Sequence, residues 1–168
     1  MSALSPQDPG TRAFLRHALA TLAYRAGKAV RDTDGGFAEF LASPDSNTPR
    51  TIVAHMGDLL DWVLRMARDG ERNWTTATPL PWDGERQRFF AALEALDRQL
   101  ASDAPLRFDP GLLFQGGIAD ALTHTGQLTL LRRLSGHRMK SENYSRADIQ
   151  AGRVGAEQVP AKPENEFN

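Results

Sequence analysis

Four stretches of this chain carry apolar residues at helical spacing, and no strand pattern stands out between them. The first runs from about Thr11 to Val30, with Phe14, Ala18, Leu22 and Ala26 in line and Leu15, Leu19 and Ala29 widening the stripe. The second opens at Thr48-Pro49, a capping hydroxyl followed by a residue with no N–H to leave unpaired. Ile52, His55, Leu59, Trp62, Val63 and Met66 then share one face, and Asp69-Gly70 ends the helix. The third spans about Asp83 to Ala101 on Phe89, Leu93, Leu96 and Leu100, flanked by Phe90 and Ala92. The fourth begins near Gly117 and ends at Ser135-Gly136, with Ile118, Ala121, Leu122, Leu128, Leu131 and Leu134 as its apolar positions. Each stripe has to be buried against another, and four helices of about five turns predict an all-α fold, a four-helix bundle.

The connections read as loops. Asp32 to Gly36 is a stop, Phe37 to Leu41 one short turn, Asn73 to Trp82 an irregular link rich in proline and tryptophan, and Asp103 to Pro110 another loop. The bundle is expected over residues 1–145, and residues 146–168 form a partly irregular C-terminal extension. Asn143-Tyr144 and Ile149 are expected to dock on the bundle, and the chain from Val159 onward to be mobile.

Composition narrows the function. With 20 basic and 21 acidic residues the net charge is −1, so no global field draws a polyanion and nucleic acid is not an expected partner. There is no cysteine, which excludes disulfides, a thiolate nucleophile and any sulfur ligand to a metal. The first residues have no basic region followed by an apolar run, so no signal peptide is read there. Charges interrupt every apolar patch, so no membrane span is expected, and a cytoplasmic location follows by default.

Of the four histidines, His17 sits beside Arg16 off the first stripe and His137 follows the last helix. His55 is on the apolar face of the second helix, with Asp58 three residues on. His124 has Asp120 four residues before it and Gln127 three after, so all three project to one side of the fourth helix. Two polar-lined faces from different helices can meet inside a bundle and build a metal site there. Imidazole and carboxylate together suit zinc, nickel, iron or manganese, and three protein ligands leave positions open for water or substrate. The plain alternative is a hydrogen-bonded Asp120–His124 pair and a core His55, in a non-catalytic bundle that binds a small molecule or a protein partner. On that reading Trp62, Trp74 and Trp82 are core or loop anchors, Arg132-Arg133 is a solvated helix end, and Gly116-Gly117 is a turn leading into the helix. No serine elbow, carboxylate pair for glycoside chemistry or basic aromatic stripe is present.

Two segments resemble the DinB-like (DinB/YfiT) superfamily of metal-dependent bundle proteins. Thr48 to Trp62 is similar to that family's second helix, where one histidine follows a capped start. Ala119 to Gly136 is similar to its last helix, where a histidine shortly precedes Gly-Gln-Leu and a Leu-Arg-x-Leu-x-Gly ending follows. The likeness extends over about Thr11 to Tyr144. Family members commonly hold their metal with three histidines, one from the second helix and two, four residues apart, from the last. His55 matches the first and His124 the final one, while Asp120 stands where the middle histidine would be. The resemblance therefore implies a His55/Asp120/His124 site for zinc, nickel or iron, one charge more negative than the common form, with Asp58 as an extra ligand or an acceptor for an imidazole N–H. It also implies a small-molecule substrate and thiol-dependent transfer or isomerisation, the thiol coming from a cosubstrate because the chain has none. Other members have no assigned activity, so no catalytic residue is named. The Phe37 region, the Trp74–Trp82 loop and Asn143-Tyr144 are the segments expected to wall the pocket, and a homodimer is the expected assembly.

Overall fold

The computed structural model describes residues 8–167. Residues 1–7, on which the signal-peptide reading falls, lie outside the described residues. The fold is mostly helical, and each long helix starts and stops where its end residues can satisfy the backbone. Asp8 opens α1 (Pro9–Val30): its carboxylate accepts the Thr11 N–H at 2.7 Å, and Pro9 takes the first position. Asp34 caps the single turn α2 (Gly35–Ala38) in the same way. Thr48 and Pro49 begin α3 (Pro49–Asp69), and Gly70 ends it in the left-handed conformation, with φ 76°, as the sequence predicts. α4 spans Trp82–Ala101. The last helix begins earlier than expected. Asp109 caps α5 (Pro110–Leu113), which runs through a π-helical turn, Phe114–Ile118, into α6 (Ala119–Leu134).

The four long helices close a ring in which α1 and α3 each pack against α4 and α6. Leu15, Leu19 and Leu22 of α1, Met56 and Leu60 of α3, Leu93 and Leu96 of α4, and Leu128 of α6 are fully buried inside it. The stripes are rotated slightly from those read in the sequence. Phe14 is 58% exposed at the rim, where it packs against Phe114 with ring centroids 5.8 Å apart. The row Leu15, Ala18, Leu19 and Leu22 points inward instead. Leu134 is exposed too, on the outer face it shares with Leu130 one turn before it. No helix among the described residues is long and apolar enough to cross a membrane.

Arg132 departs from its expected solvated position. It is buried, and its guanidinium donates to the carbonyls of Lys28 at 2.7 Å and Ala29 at 3.1 Å, satisfying the C-terminal end of α1. The end of the chain also differs from the mobile segment expected from Val159. Ser141–Glu142 (β1) pairs antiparallel with Glu166–Phe167 (β2), and Lys28 clamps the ribbon to α1. The Lys28 ammonium lies 2.7 Å from Glu142 and 2.8 Å from Glu166, and the Tyr24 hydroxyl donates to the other Glu142 oxygen at 2.6 Å.

Burial works against the Lys28 charge, but hydrogen bonds to the two carboxylates hold its pKa above the ordinary value of 10.5. The hydrogen bond from Lys28 lowers the Glu166 carboxyl below its ordinary 4.5. The lysine contributes stability fully below 10.5, and loses it as pH rises through its raised folded value. The glutamate contributes fully above 4.5, and loses it as pH falls through its depressed folded value. The clamp is therefore at full strength between these limits, and protection of the Asn143 amide, measured relative to its intrinsic exchange rate, should fall on acidification. Lys28→Met leaves the Glu142 carboxylate buried without its cation and is expected to cost about 3–5 kcal/mol in urea denaturation at pH 7.

Candidate metal centre

The site depends on how closely α6 approaches α3. A Cβ at Gly117 would overlap the Val63 Cγ2 methyl and lie 3.2 Å from the Leu59 carbonyl oxygen, so only glycine permits this spacing. The π-helical turn around it, closed by the Ala119 N–H on the Phe114 carbonyl, inserts one residue into the helix just before Asp120. The Gly116-Gly117 pair thus lies inside a continuous helical segment and is not the simple lead-in turn expected. On α3, His55 shares a face with Trp62, which covers Gly116.

These elements bring the three predicted residues together. His55 Nε2 lies 3.6 Å from one Asp120 oxygen, and His124 Nε2 lies 3.6 Å from the other. The two imidazoles meet at right angles with centroids 4.9 Å apart. One ligand atom from each residue lies within 4.8 Å of the others, so His55, Asp120 and His124 can hold a metal ion. Gln127 orients His124: its Oε1 lies 2.8 Å from His124 Nδ1, and a neutral ring that donates there turns its lone pair, on Nε2, toward Asp120. The Asp120 side chain is 43% exposed and that of His55 39%, so the carboxylate is reachable from solvent, while His124 forms the deeper wall at 18%.

Asp58 plays a different part from the one the resemblance implies. It points away from the imidazoles into a buried ionic hub, where its carboxylate takes the Arg88 guanidinium at 2.7 Å and the Ala77 N–H at 3.2 Å. Arg88 also donates to the Ala54 carbonyl at 2.7 Å and to the fully buried Glu85 at 3.0 Å. Burial opposes the Arg88 charge, yet the hydrogen bonds to Asp58 and Glu85 keep its pKa above the ordinary value. Glu85 in turn accepts the Leu80 N–H at 2.8 Å. The hub therefore holds residues 70–81, all with extended or irregular backbone, as a strap along α3.

That strap is the one expected wall that reaches the site. Trp74 packs its indole against His55, with centroids 5.6 Å apart, and against Trp62 at 5.7 Å. Phe37 packs instead on Trp82 and His137, and Tyr144 on Tyr24. Trp82 is a core residue, as its position allowed. Spacing along α3 and α6 was enough to nominate His55, Asp120, His124 and Gln127. Trp74 was expected only as part of a wall loop, and Arg88 had no signal at all, since it reaches the site region through tertiary contacts alone.

Comparison with protein-family models, with curated proteins and with solved structures finds no match to this chain. The functional reading therefore rests on the geometry above and on the resemblance of α3 and α6 to the DinB/YfiT family.

Gly117→Ala is expected to force α6 away from α3 and cost about 1–3 kcal/mol or more in urea denaturation. Adding Val63→Ala should recover part of that loss by opening room for the new methyl. An unchanged midpoint in Gly117→Ala would contradict the close approach.

Proposed function

We propose that this protein is a metal-dependent enzyme of the DinB/YfiT kind, a four-helix bundle that holds one zinc, nickel or iron ion with His55, Asp120 and His124. Its reaction on this reading is transfer or isomerisation of a small-molecule substrate with a low-molecular-weight thiol. The observation that carries the proposal is the convergence of three ligand atoms from two helices, with Gln127 placed against His124 Nδ1.

The residues fit such an ion. With metal–nitrogen and metal–oxygen bonds of about 2.0–2.2 Å, neighbouring ligand atoms in a tetrahedral site are about 3.3–3.6 Å apart. Each imidazole lies 3.6 Å from a different Asp120 oxygen, and one ligand atom from each residue lies within 4.8 Å of the others, so the three side chains would draw together to share one ion. The donor set contains no sulfur, and two neutral imidazoles with one carboxylate leave a net charge of about +1 on a divalent site, which favours a monoanionic ligand such as a thiolate. A bound ion would supply Lewis acidity to a coordinated water or thiol. Asp120, between the two imidazoles, would balance part of the ion's charge. His124, held by Gln127, gives the site its fixed edge, and Trp74 restricts access from the strap side. Operation as a homodimer in the cytoplasm belongs to the same proposal.

The exposure of Asp120 favours one competing reading, a bundle without catalysis in which Asp120 and His124 form a surface pair. Elemental mass spectrometry of the purified protein separates the two. About one transition metal per chain is expected in the native protein, with loss in Asp120→Ala and His124→Ala. Gln127→Ala should retain the site with an affinity about 10–100-fold weaker. On the cobalt-loaded protein, a small thiol should produce near-ultraviolet sulfur-to-cobalt absorption. No metal after reconstitution would overturn the metal reading, and metal uptake without the thiol band would overturn the thiol assignment alone.

A further inference from the structure

The tryptophans beside the candidate ion site present an unusual surface. Trp74 is 43% exposed, and it lies in a strap whose other residues are all polar, small or proline apart from Leu80. Its burial does not explain its presence. Neither indole nitrogen on this wall is available to a ligand: Trp62 Nε1 donates to the Arg72 carbonyl at 2.9 Å, and Trp74 Nε1 to the Thr76 hydroxyl at 3.1 Å. What remains beside His55 is carbon surface, the π face and edge of Trp74 next to the edge of Trp62. Gly116 lies against the outer edge of Trp62, with no side chain of its own to cover it.

The strap that carries Trp74 is fixed from below. Its backbone is tied at two points to buried carboxylates, Ala77 N–H to Asp58 and Leu80 N–H to Glu85, and Arg88 joins those two carboxylates. Arg65 adds a third tie to the Thr75 hydroxyl at 2.7 Å. Arg88 can lie flat on α3 because residue 57 is glycine, where a Cβ would come within 3.0 Å of its Cζ. A wall anchored through buried charges is held in place, and a held aromatic wall selects by shape.

We propose that Trp74 determines the specificity of this site, admitting ligands in which a flat aromatic or apolar group adjoins the metal-binding atom, and that Asp58 and Arg88 are positioning residues that hold it over His55. This inference rests on the proposed metal site for its ligand and on the strap geometry alone for its anchoring. An offset or edge-on aromatic contact adds about 0.5–1.5 kcal/mol, which corresponds to a preference of about 2–12-fold.

The test uses the cobalt-loaded full chain and two probes that present the same donor nitrogen, imidazole and 4-phenylimidazole, read by the cobalt visible bands. The native protein should bind 4-phenylimidazole several-fold more tightly. The preference should persist in Trp74→Phe and vanish in Trp74→Ala, with cobalt stoichiometry unchanged in both. Equal affinities in the native protein, or an intact preference in Trp74→Ala, would overturn the assignment of Trp74. In Asp58→Asn the phenyl preference should fall while cobalt affinity holds, and hydrogen exchange of residues 74–80 should accelerate in the metal-free protein. Unaltered exchange there would overturn the anchoring role. Should the native protein take up no cobalt, the metal reading and the ligand preference fail together, and the exchange result still decides the anchoring.

Discussion

The contact of Gly117 with Val63 and the Leu59 carbonyl is the constraint on which the rest of the site depends. It lets the helix backbones of α3 and α6 come closer than any side chain at residue 117 would allow. The π-helical turn around it then offsets α6 by one residue, so that Asp120 and His124 face His55. A different spacing would leave the same three residues on the same two helix faces with their ligand atoms too far apart to share an ion. The chemistry of the site is thus a consequence of a packing detail more than of the ligands themselves.

A second theme is the use of buried cations to fasten irregular chain to the helical ring. Arg88 joins the 70–81 strap to α3 and α4 through Asp58 and Glu85. Lys28 holds the β1–β2 ribbon to α1 through Glu142 and Glu166. Arg132 ties α6 to the last carbonyls of α1. Around Lys28 and Arg88 desolvation is outweighed by hydrogen bonds to carboxylates, whereas Arg132 meets only carbonyls and burial lowers its pKa from the ordinary value. Such clusters contribute less to net stability than apolar packing of the same volume, but they are directional, and they specify where a loop lies. That is the property a site wall requires.

The candidate site pairs one carboxylate with two imidazoles. Asp120 lies between two imidazoles, while the Arg88 guanidinium is taken by Asp58 and Glu85. Segregating the structural carboxylates from the site carboxylate leaves Asp120 free to meet a cation arriving from solvent. The deeper His124 and the more exposed His55 then define an asymmetric opening, with the Trp74 strap on one side.

The helical class and the ends of α3 were legible in the sequence because each depends on local rules, and spacing together with the family resemblance nominated the three residues that the structure brings together, His55, Asp120 and His124. A capping hydroxyl before proline, a glycine at a helix end, and an aspartate four residues before a histidine all carry their meaning within one or two turns. The sequence alone also nominated Gln127 as a neighbour of His124, and the hydrogen bond between them follows from helix geometry. It could not place Phe14, whose register on α1 is decided by which neighbours fill the core. Nor could it move Asp58 from ligand to hub, since the deciding partner, Arg88, is on another helix. The contact of Trp74 with His55, the buried Arg132 and the clamped C-terminal ribbon were likewise decided only by the tertiary structure. The physical reason is common to all of them: each pairs groups far apart in the chain, and periodicity records which face a residue occupies without recording what that face will meet.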